Sequence, residues 1–179
     1  MSTDYCVVIA FHGDFASPKM LRRDTGDPIW IDYFFDGHDI KEAIDFCGRF
    51  RQVVLVGYSR GGDVIAAVSQ YRSNIVAAVL YESPAKNVPA GRFPAMLIWN
   101  DRGRRRTRAA HESNEKWKRN RETTELSGSG RHSRLIWGWP PFGHGWDQSL
   151  NPIIGEWVQA RQNDRNRKVC TNLNNFEQV

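Results

Sequence analysis

The sequence predicts an α/β protein with a mainly parallel central sheet and helices on both of its faces. Apolar runs of strand length alternate along the chain with segments of helical periodicity, an order that is typical of parallel strands joined by crossover helices. The 179 residues and the hydrophobic content of 40% suffice for one core, so a single domain is expected.

The first part of the chain predicts two strands and a helix. Residues 5–11 form a β-branched apolar run, and residues 29–35 form a second run that is rich in aromatic side chains. Over residues 39–50, apolar side chains recur every three or four positions. That spacing predicts an amphipathic helix.

The rest of the chain continues this alternation. Apolar runs predict further strands over residues 53–56, 75–81, 94–99 and, as a short last strand, 134–137. The intervening and following segments predict helices over residues 61–71, 107–121 and 151–162. The second of these is charged and weakly periodic and should be exposed, whereas Pro152 favours the start of the last one.

The domain is expected to comprise residues 1–162. Residues 163–179 are rich in Asn, Arg and Lys and have little to bury, so they are predicted to be a disordered polar tail. No apolar run approaches the roughly 20 residues that span a bilayer, so no membrane span is expected. The first residues resemble no signal peptide, which predicts a cytoplasmic location.

Composition also restricts cofactors and partners. The three cysteines are scattered without the spacing of a metal finger, so neither a metal nor a cofactor is predicted. Much of the net charge of +5 lies in arginine-rich runs such as that after Asp101. We interpret that run as a solvated loop and do not expect nucleic-acid binding.

A glycine-flanked serine stands between a predicted strand and a predicted helix. Residues 57–62 read Gly-Tyr-Ser-Arg-Gly-Gly, with Ser59 at the third position. A serine exposed on a tight strand-to-helix turn needs small residues two positions away on either side, and Gly57 and Gly61 meet that need. The start of the helix also favours a negative charge that forms beside Ser59.

This strand-GYSRGG-helix segment resembles the nucleophile elbow of the α/β-hydrolase superfamily. The order and spacing of the elements over residues 5–161 are similar as well. The resemblance implies an α/β-hydrolase fold and a small serine esterase or thioesterase. Only residues 83–93 separate two neighbouring predicted strands, so no cap domain and an open cleft are expected.

A nucleophilic serine needs a base and a carboxylate that orients the base. Among five histidines, His144 lies in the loop before the last helix, where superfamily members carry their base. Asp101 follows an apolar strand and completes the chain order Ser, Asp, His that is typical of the superfamily. Glu82, at the end of the preceding strand, is the alternative acid.

The loop after the first strand contains His12-Gly13-Asp14 and resembles the loop that completes the oxyanion hole in the superfamily. The expected donors are the backbone amides of Asp14 and Arg60. An acidic side chain beside a developing oxyanion is unfavourable, so the Asp14 carboxylate should point away. His12 is expected to stabilise the loop through a hydrogen bond to the backbone.

The expected substrate is a small-molecule or acyl ester. Aromatic side chains near the predicted triad are candidates for its contacts: Tyr58, Trp139, Phe142 and Trp146. Two alternatives remain at this point. One is a peptidase or amidase on the same triad, and the other is a non-catalytic hydrolase fold that binds a partner through the basic segment from Arg102 to Arg121.

Overall fold

A computed structural model describes residues 6–14, 16–83, 85, 87–89, 91, 93–100, 107–119, 121–128 and 145–174. Six strands form one parallel sheet in the order β2-β1-β3-β4-β5-β6. The strands are β1 Val7–Phe11, β2 Tyr33–Phe35, β3 Val53–Tyr58, β4 Ile75–Tyr81, β5 Ala95–Asn100 and β6 Thr123–Gly128. The predicted fold class is confirmed.

Helices connect and cover these strands. They are α1 Pro18–Thr25, α2 Ile40–Cys47, α3 Gly61–Tyr71, α4 Thr107–Lys118 and α5 Asn151–Asn174, and a single 3-10 turn, Gln148–Leu150, precedes α5. Among the residues that the structure describes, no helix is long and apolar enough to cross a bilayer.

The core has two layers, one on each face of the sheet. Alternate residues of a strand enter different layers: Val7 and Ile9 of β1 belong to one, and Val8 and Ala10 belong to the other. Helices α2, α3 and α4 contribute buried side chains to the first layer, and α1 and α5 contribute to the second. Because both faces are covered, the central strands are apolar along their whole length.

Helix α1 is not predicted from the sequence, because it has only eight residues and carries several charges. Its signals lie at its ends. The Ser17 side chain accepts a hydrogen bond from the Met20 amide, Pro18 begins the helix, and Gly26 ends it with a φ of 77°. Leu21 is its buried contact with the sheet.

Two other strands differ from prediction, and a third predicted strand is not tested. The strand predicted over residues 29–35 is reduced to Tyr33–Phe35, because the Ile31 amide bonds to the Pro28 carbonyl in a turn. The strand predicted over residues 134–137 lies outside the described residues. The last described strand is β6, a polar strand with the sequence TTELSG at one end of the described strand order. Polar edge strands lack the apolar run by which buried strands are recognised.

Helix α5 extends well beyond its predicted end at residue 162. Its backbone is helical to Asn174, within the segment for which the sequence predicts disorder. No Gly or Pro interrupts the chain after Gly155, so no residue of the strongest helix-breaking types ends the helix there. The division of the chain at residue 162 stays a prediction.

Candidate active site

The direction in which the chain adds strands to the sheet reverses at β1. Strand β2 lies on one side of β1, whereas β3 and the later strands lie on the other. In open α/β sheets, ligands bind at the carboxyl ends of strands beside such a switch point. Ser59 directly follows β3, and His12-Gly13-Asp14 directly follows β1, so both predicted parts of the site lie at this edge.

The backbone at Ser59 is strained. Its φ is 55°, a value that non-glycine residues rarely adopt, and its amide donates a hydrogen bond to the Tyr81 carbonyl at 2.9 Å. Any Cβ at Gly57 would lie 2.7 Å from the carbonyl carbon of Gly61. Strand β3 therefore passes into α3 through a tight turn that requires glycine at position 57.

The end of β1 is in close contact with this turn. A Cβ at Gly13 would lie 2.7 Å from Cβ of Ser59 and 3.2 Å from its Oγ. A Cβ added at Gly61 would collide with the carbonyl oxygen of Phe11. Glycine at positions 13 and 61 thus lets the loop after β1 lie directly beside the serine.

Asp14 and Arg60 form an ion pair at this contact. Nη1 of Arg60 donates a hydrogen bond to Oδ1 of Asp14 at 2.8 Å, and both side chains are about half exposed. This hydrogen bond and the charge of Asp14 raise the pKa of Arg60 above its ordinary value. The negative charge that an acidic residue brings to this loop is therefore partly offset by the residue that follows Ser59.

Comparison with known proteins identifies this architecture. The sequence matches no protein-family model and no curated protein. Solved structures do match. A dienelactone hydrolase from Anabaena variabilis has a TM-score of 0.57 at 13% identity, over 89% of this chain and 88% of that one.

Two esterases are similar to the same extent. An inhibited esterase B from Lactobacillus rhamnosis has a TM-score of 0.60 at 13% identity, over 92% of this chain and 79% of that one. An esterase from Pyrococcus furiosus has a TM-score of 0.57 at 15% identity, over 88% and 82%. The chain has the α/β-hydrolase fold. The fold implied by the sequence resemblance is therefore confirmed.

Glu82 occupies the position beside Ser59 on the next strand of the hydrolase sheet. Tyr58 of β3 pairs in register with Tyr81 of β4, so Ser59 and Glu82 are the first residues beyond the two strands. Glu82 is 2% exposed, has a φ of 48°, and donates its amide to the Ile98 carbonyl at 2.8 Å. A buried carboxylate thus lies at the same edge as the serine.

Ser83 links the end of β4 to the turn at Ser59. Its buried hydroxyl donates a hydrogen bond to the Gly57 carbonyl at 2.8 Å, and its own carbonyl accepts one from Ser113 of α4 at 3.1 Å. A Cβ at Gly62 would meet that of Ser83 at 2.5 Å. The sequence gives no signal for this role, because it depends on which strands are neighbours.

Trp146 is a core residue of the hydrolase fold. It is 2% exposed, its ring stacks on Tyr81 at a centroid distance of 4.4 Å, and its Nε1 donates to Asn151. The adjacent Asp147 amide donates to the Tyr81 hydroxyl, and burial raises the pKa of that hydroxyl. Trp146 is thus packed into the core, whereas Tyr58 is only partly buried, and the substrate contact expected for each stays a prediction.

The remaining residues of the predicted site lie outside the described residues. They are Asp101, Trp139, Phe142 and His144. His12 is buried, and its Nδ1 lies 2.8 Å from the Gly13 carbonyl, which agrees with the predicted hydrogen bond to the backbone. The chain between β4 and β5, residues 82–94, is too short for a cap domain, as expected.

Proposed function

We propose that this chain is a serine hydrolase that cleaves a carboxylic ester or thioester through an acyl intermediate on Ser59. The observation that carries the proposal is the strained turn at Ser59, between β3 and α3, with Gly13 packed against it. Similar structures are named as a dienelactone hydrolase and as esterases, which supports ester chemistry.

In the proposed reaction, Oγ of Ser59 attacks the substrate carbonyl carbon while His144 takes the hydroxyl proton. The carbonyl oxygen becomes negative and accepts hydrogen bonds from the amides of Asp14 and Arg60, near the N-terminus of α3. His144 then gives its proton to the departing alcohol or thiol. Water, activated by the same imidazole, releases the acid and restores the serine.

His144 is the proposed base, although His132 also lies between β6 and α5 in the sequence. The support for His144 comes from Trp146, two residues later. Its ring packs on Tyr58 at a centroid distance of 6.3 Å, and Tyr58 immediately precedes Ser59. The chain that continues from His144 is thus held against the nucleophile turn.

Asp101 is the proposed acid, because it follows the end of β5 at Asn100 and keeps the Ser, Asp, His order of the superfamily. Glu82 remains the alternative. Its support is its burial and its position at the end of β4, next to Ser59. Loss of the true acid should lower kcat by about four orders of magnitude, as removal of an orienting carboxylate does in other serine hydrolases.

The proposed substrate is a small-molecule or acyl ester that reaches the serine without displacing a cap. Tyr58 is a proposed contact, because it adjoins Ser59 and is only partly buried. Trp139 and Phe142 stay proposed contacts from their place in the sequence near His144.

The proposal is tested by covalent labelling with a fluorophosphonate probe, followed by peptide mass spectrometry. Labelling is expected on Ser59 and should be lost in Ser59→Ala, whereas the exposed Ser73→Ala is the matched control and should label normally. A panel of p-nitrophenyl esters of increasing acyl length, together with one matched amide, then defines the substrate. Absence of both labelling and ester turnover would favour a non-catalytic binding protein.

The triad is tested by comparing kcat among His144→Ala, His132→Ala, Asp101→Asn and Glu82→Gln. Large losses are expected for His144→Ala and Asp101→Asn, while the other two should remain within a few-fold of wild type. A large loss in Glu82→Gln with normal turnover in Asp101→Asn would assign the acid to Glu82. Circular dichroism of each variant separates loss of chemistry from loss of fold.

A further inference from the structure

Three potential metal ligands meet at the carboxyl ends of β1 and β2. Phe11 pairs in register with Phe35, so His12 and Asp36 are the next residues on two neighbouring strands. Oδ1 of Asp36 lies 3.4 Å from Nε2 of His12 and 2.7 Å from Nδ1 of His38. One ligand atom from each of the three residues lies within 4.8 Å of the others. We call this group the His-Asp-His cluster.

The His12 ring is held in one orientation by the backbone. Its Nδ1 lies 2.8 Å from the carbonyl oxygen of Gly13. A carbonyl oxygen only accepts hydrogen bonds, so Nδ1 carries a proton, and in the neutral ring Nε2 presents a lone pair. The hydrogen bond therefore assigns the tautomer.

The Nε2 atom of His12 is buried and, among the described residues, has no hydrogen-bond partner. The side chain is 2% exposed, and Oδ1 of Asp36 lies 3.4 Å from Nε2 in a position that gives no hydrogen bond. A buried lone pair beside a carboxylate is unfavourable for two reasons: the lone pair is unsatisfied, and both groups are electron-rich. A cation between the two atoms removes both costs.

This arrangement is the one in which imidazole binds metals. A metal-ligating histidine almost always donates its other ring N–H to a carbonyl, a carboxylate or water, as His12 does to Gly13. Two ligand atoms bonded at about 2.0–2.1 Å to a tetrahedral ion lie about 3.4 Å apart. The observed distance between Nε2 of His12 and Oδ1 of Asp36 is 3.4 Å.

His38 and Asp36 supply the open side of the cluster. Their side chains are 56% and 57% exposed, so an ion can reach the buried Nε2 of His12 from solvent. The His38 amide also donates to Oδ1 of Asp36 at 2.9 Å and holds the carboxylate in place. Binding would replace the contact between the His38 ring and Asp36 with two bonds to the ion.

We propose that His12, Asp36 and His38 bind a divalent transition-metal ion, with Zn²⁺ as the occupant that best fits two imidazoles and one carboxylate. Water fills the fourth position. The sequence predicts no metal, because these ligands have no finger-like spacing and are brought together only by the register of β1 and β2. The site adjoins Gly13 but is separate from Ser59, so its existence does not depend on the proposed hydrolase activity.

Isothermal titration of the chelator-treated protein with ZnCl₂ tests the proposal, and CoCl₂ gives a spectroscopic second measurement. We expect saturable binding of one ion per chain. Asp36→Asn and His38→Ala should each weaken it by at least about tenfold, since even outer partners of a metal site change affinity 10–100-fold. Both residues are exposed, so these variants should fold. Glu42→Gln, which removes an exposed carboxylate of nearby α2, is the matched control and should bind as wild type does.

The Co²⁺ complex should show the visible bands of nitrogen and oxygen ligation without a thiolate charge-transfer band. Absence of saturable binding overturns the proposal. Binding that is unchanged in both Asp36→Asn and His38→Ala also overturns the proposal, because the ion would then lie on other residues. A thiolate band does the same, because it would place the ion on a cysteine.

Discussion

The Nη1 atom of Arg60 lies 2.8 Å from Oδ1 of Asp14, a residue 46 positions away, and joins the loop after β1 to the residue that follows Ser59. Two residues that are proposed to donate their amides to one oxyanion are thus also paired through their side chains. Because both side chains are about half exposed, solvent screens the pair and it should contribute little to stability.

We predict that Arg60→Ala lowers kcat for ester hydrolysis, because it leaves the Asp14 charge without its partner near the oxyanion. An unpaired charge in a solvated site is worth about 1 kcal/mol, or roughly a fivefold loss of rate. Steady-state kinetics of Arg60→Ala, Asp14→Asn and the double variant measure the effect. The double variant should recover most of the rate. If it is as slow as Arg60→Ala, the arginine acts in another way.

Gly13→Ala should reduce kcat strongly, because its new Cβ would lie 2.7 Å from Cβ of Ser59 and one of the two must move. A displacement of about 1 Å in a catalytic group costs roughly a hundredfold in rate. The measurements are kcat and labelling of Ser59 by a fluorophosphonate.

Gly48→Ala is the control for this substitution. Its added Cβ would meet only the guanidinium end of Arg72, which is a flexible side chain, so activity should change little. Normal turnover in Gly13→Ala would contradict the close contact of the two loops.

Ser83→Ala should destabilise the protein by about 1–3 kcal/mol, because it leaves the buried Gly57 carbonyl without the hydroxyl that donates to it at 2.8 Å. The free energy of unfolding from urea titration measures this change. Ser73→Ala, at an exposed position, should be neutral. Equal stability of the two variants would show that the bond between Ser83 and Gly57 contributes nothing net.

Cys47 gives the stability a dependence on alkaline pH. Burial raises the pKa of this thiol from 9.0 to about 12, so between these values the unfolded chain loses a proton that the folded chain keeps. The stabilisation is fully present below pH 9.0 and is lost as the pH rises toward 12. The loss should be about 1.4 kcal/mol per pH unit.

Urea unfolding of wild type and Cys47→Ala, at steps from neutral pH to about pH 11, isolates this contribution. The variant should be less stable at neutral pH, because it loses buried volume, but its stability should fall less steeply above pH 9.0. Parallel curves for the two proteins would mean that Cys47 does not cause the alkaline loss.

The central part of the fold is predictable because its signals are local. Helix α3 and strand β4 begin and end where the sequence predicts. The helix is periodic and begins at a pair of glycines, and the strand is a continuous apolar run between polar residues. Strand β6 is not predicted, because an edge strand can be polar. Helix α1 is short and depends on its caps more than on an apolar face.

The same distinction holds for the site. The turn at Ser59 is recognisable because Gly57, Ser59 and Gly61 lie within five positions of one another. Two other contacts cannot be recognised from the sequence, because each depends on which strands are neighbours. They are the ion pair of Asp14 with Arg60 and the hydrogen bond from Ser83 to Gly57. Contacts of that kind depend on the topology, and no local sequence pattern predicts them.

The parallel order of the six described strands also affects how the chain folds. No ladder among them is a hairpin, so each requires segments from distant parts of the chain to meet before the first interstrand bond forms. Proteins dominated by such non-local contacts fold slowly. During synthesis, β1 gains β3 as its neighbour only after α1, β2 and α2 have emerged, so its apolar residues depend on prompt assembly to avoid aggregation.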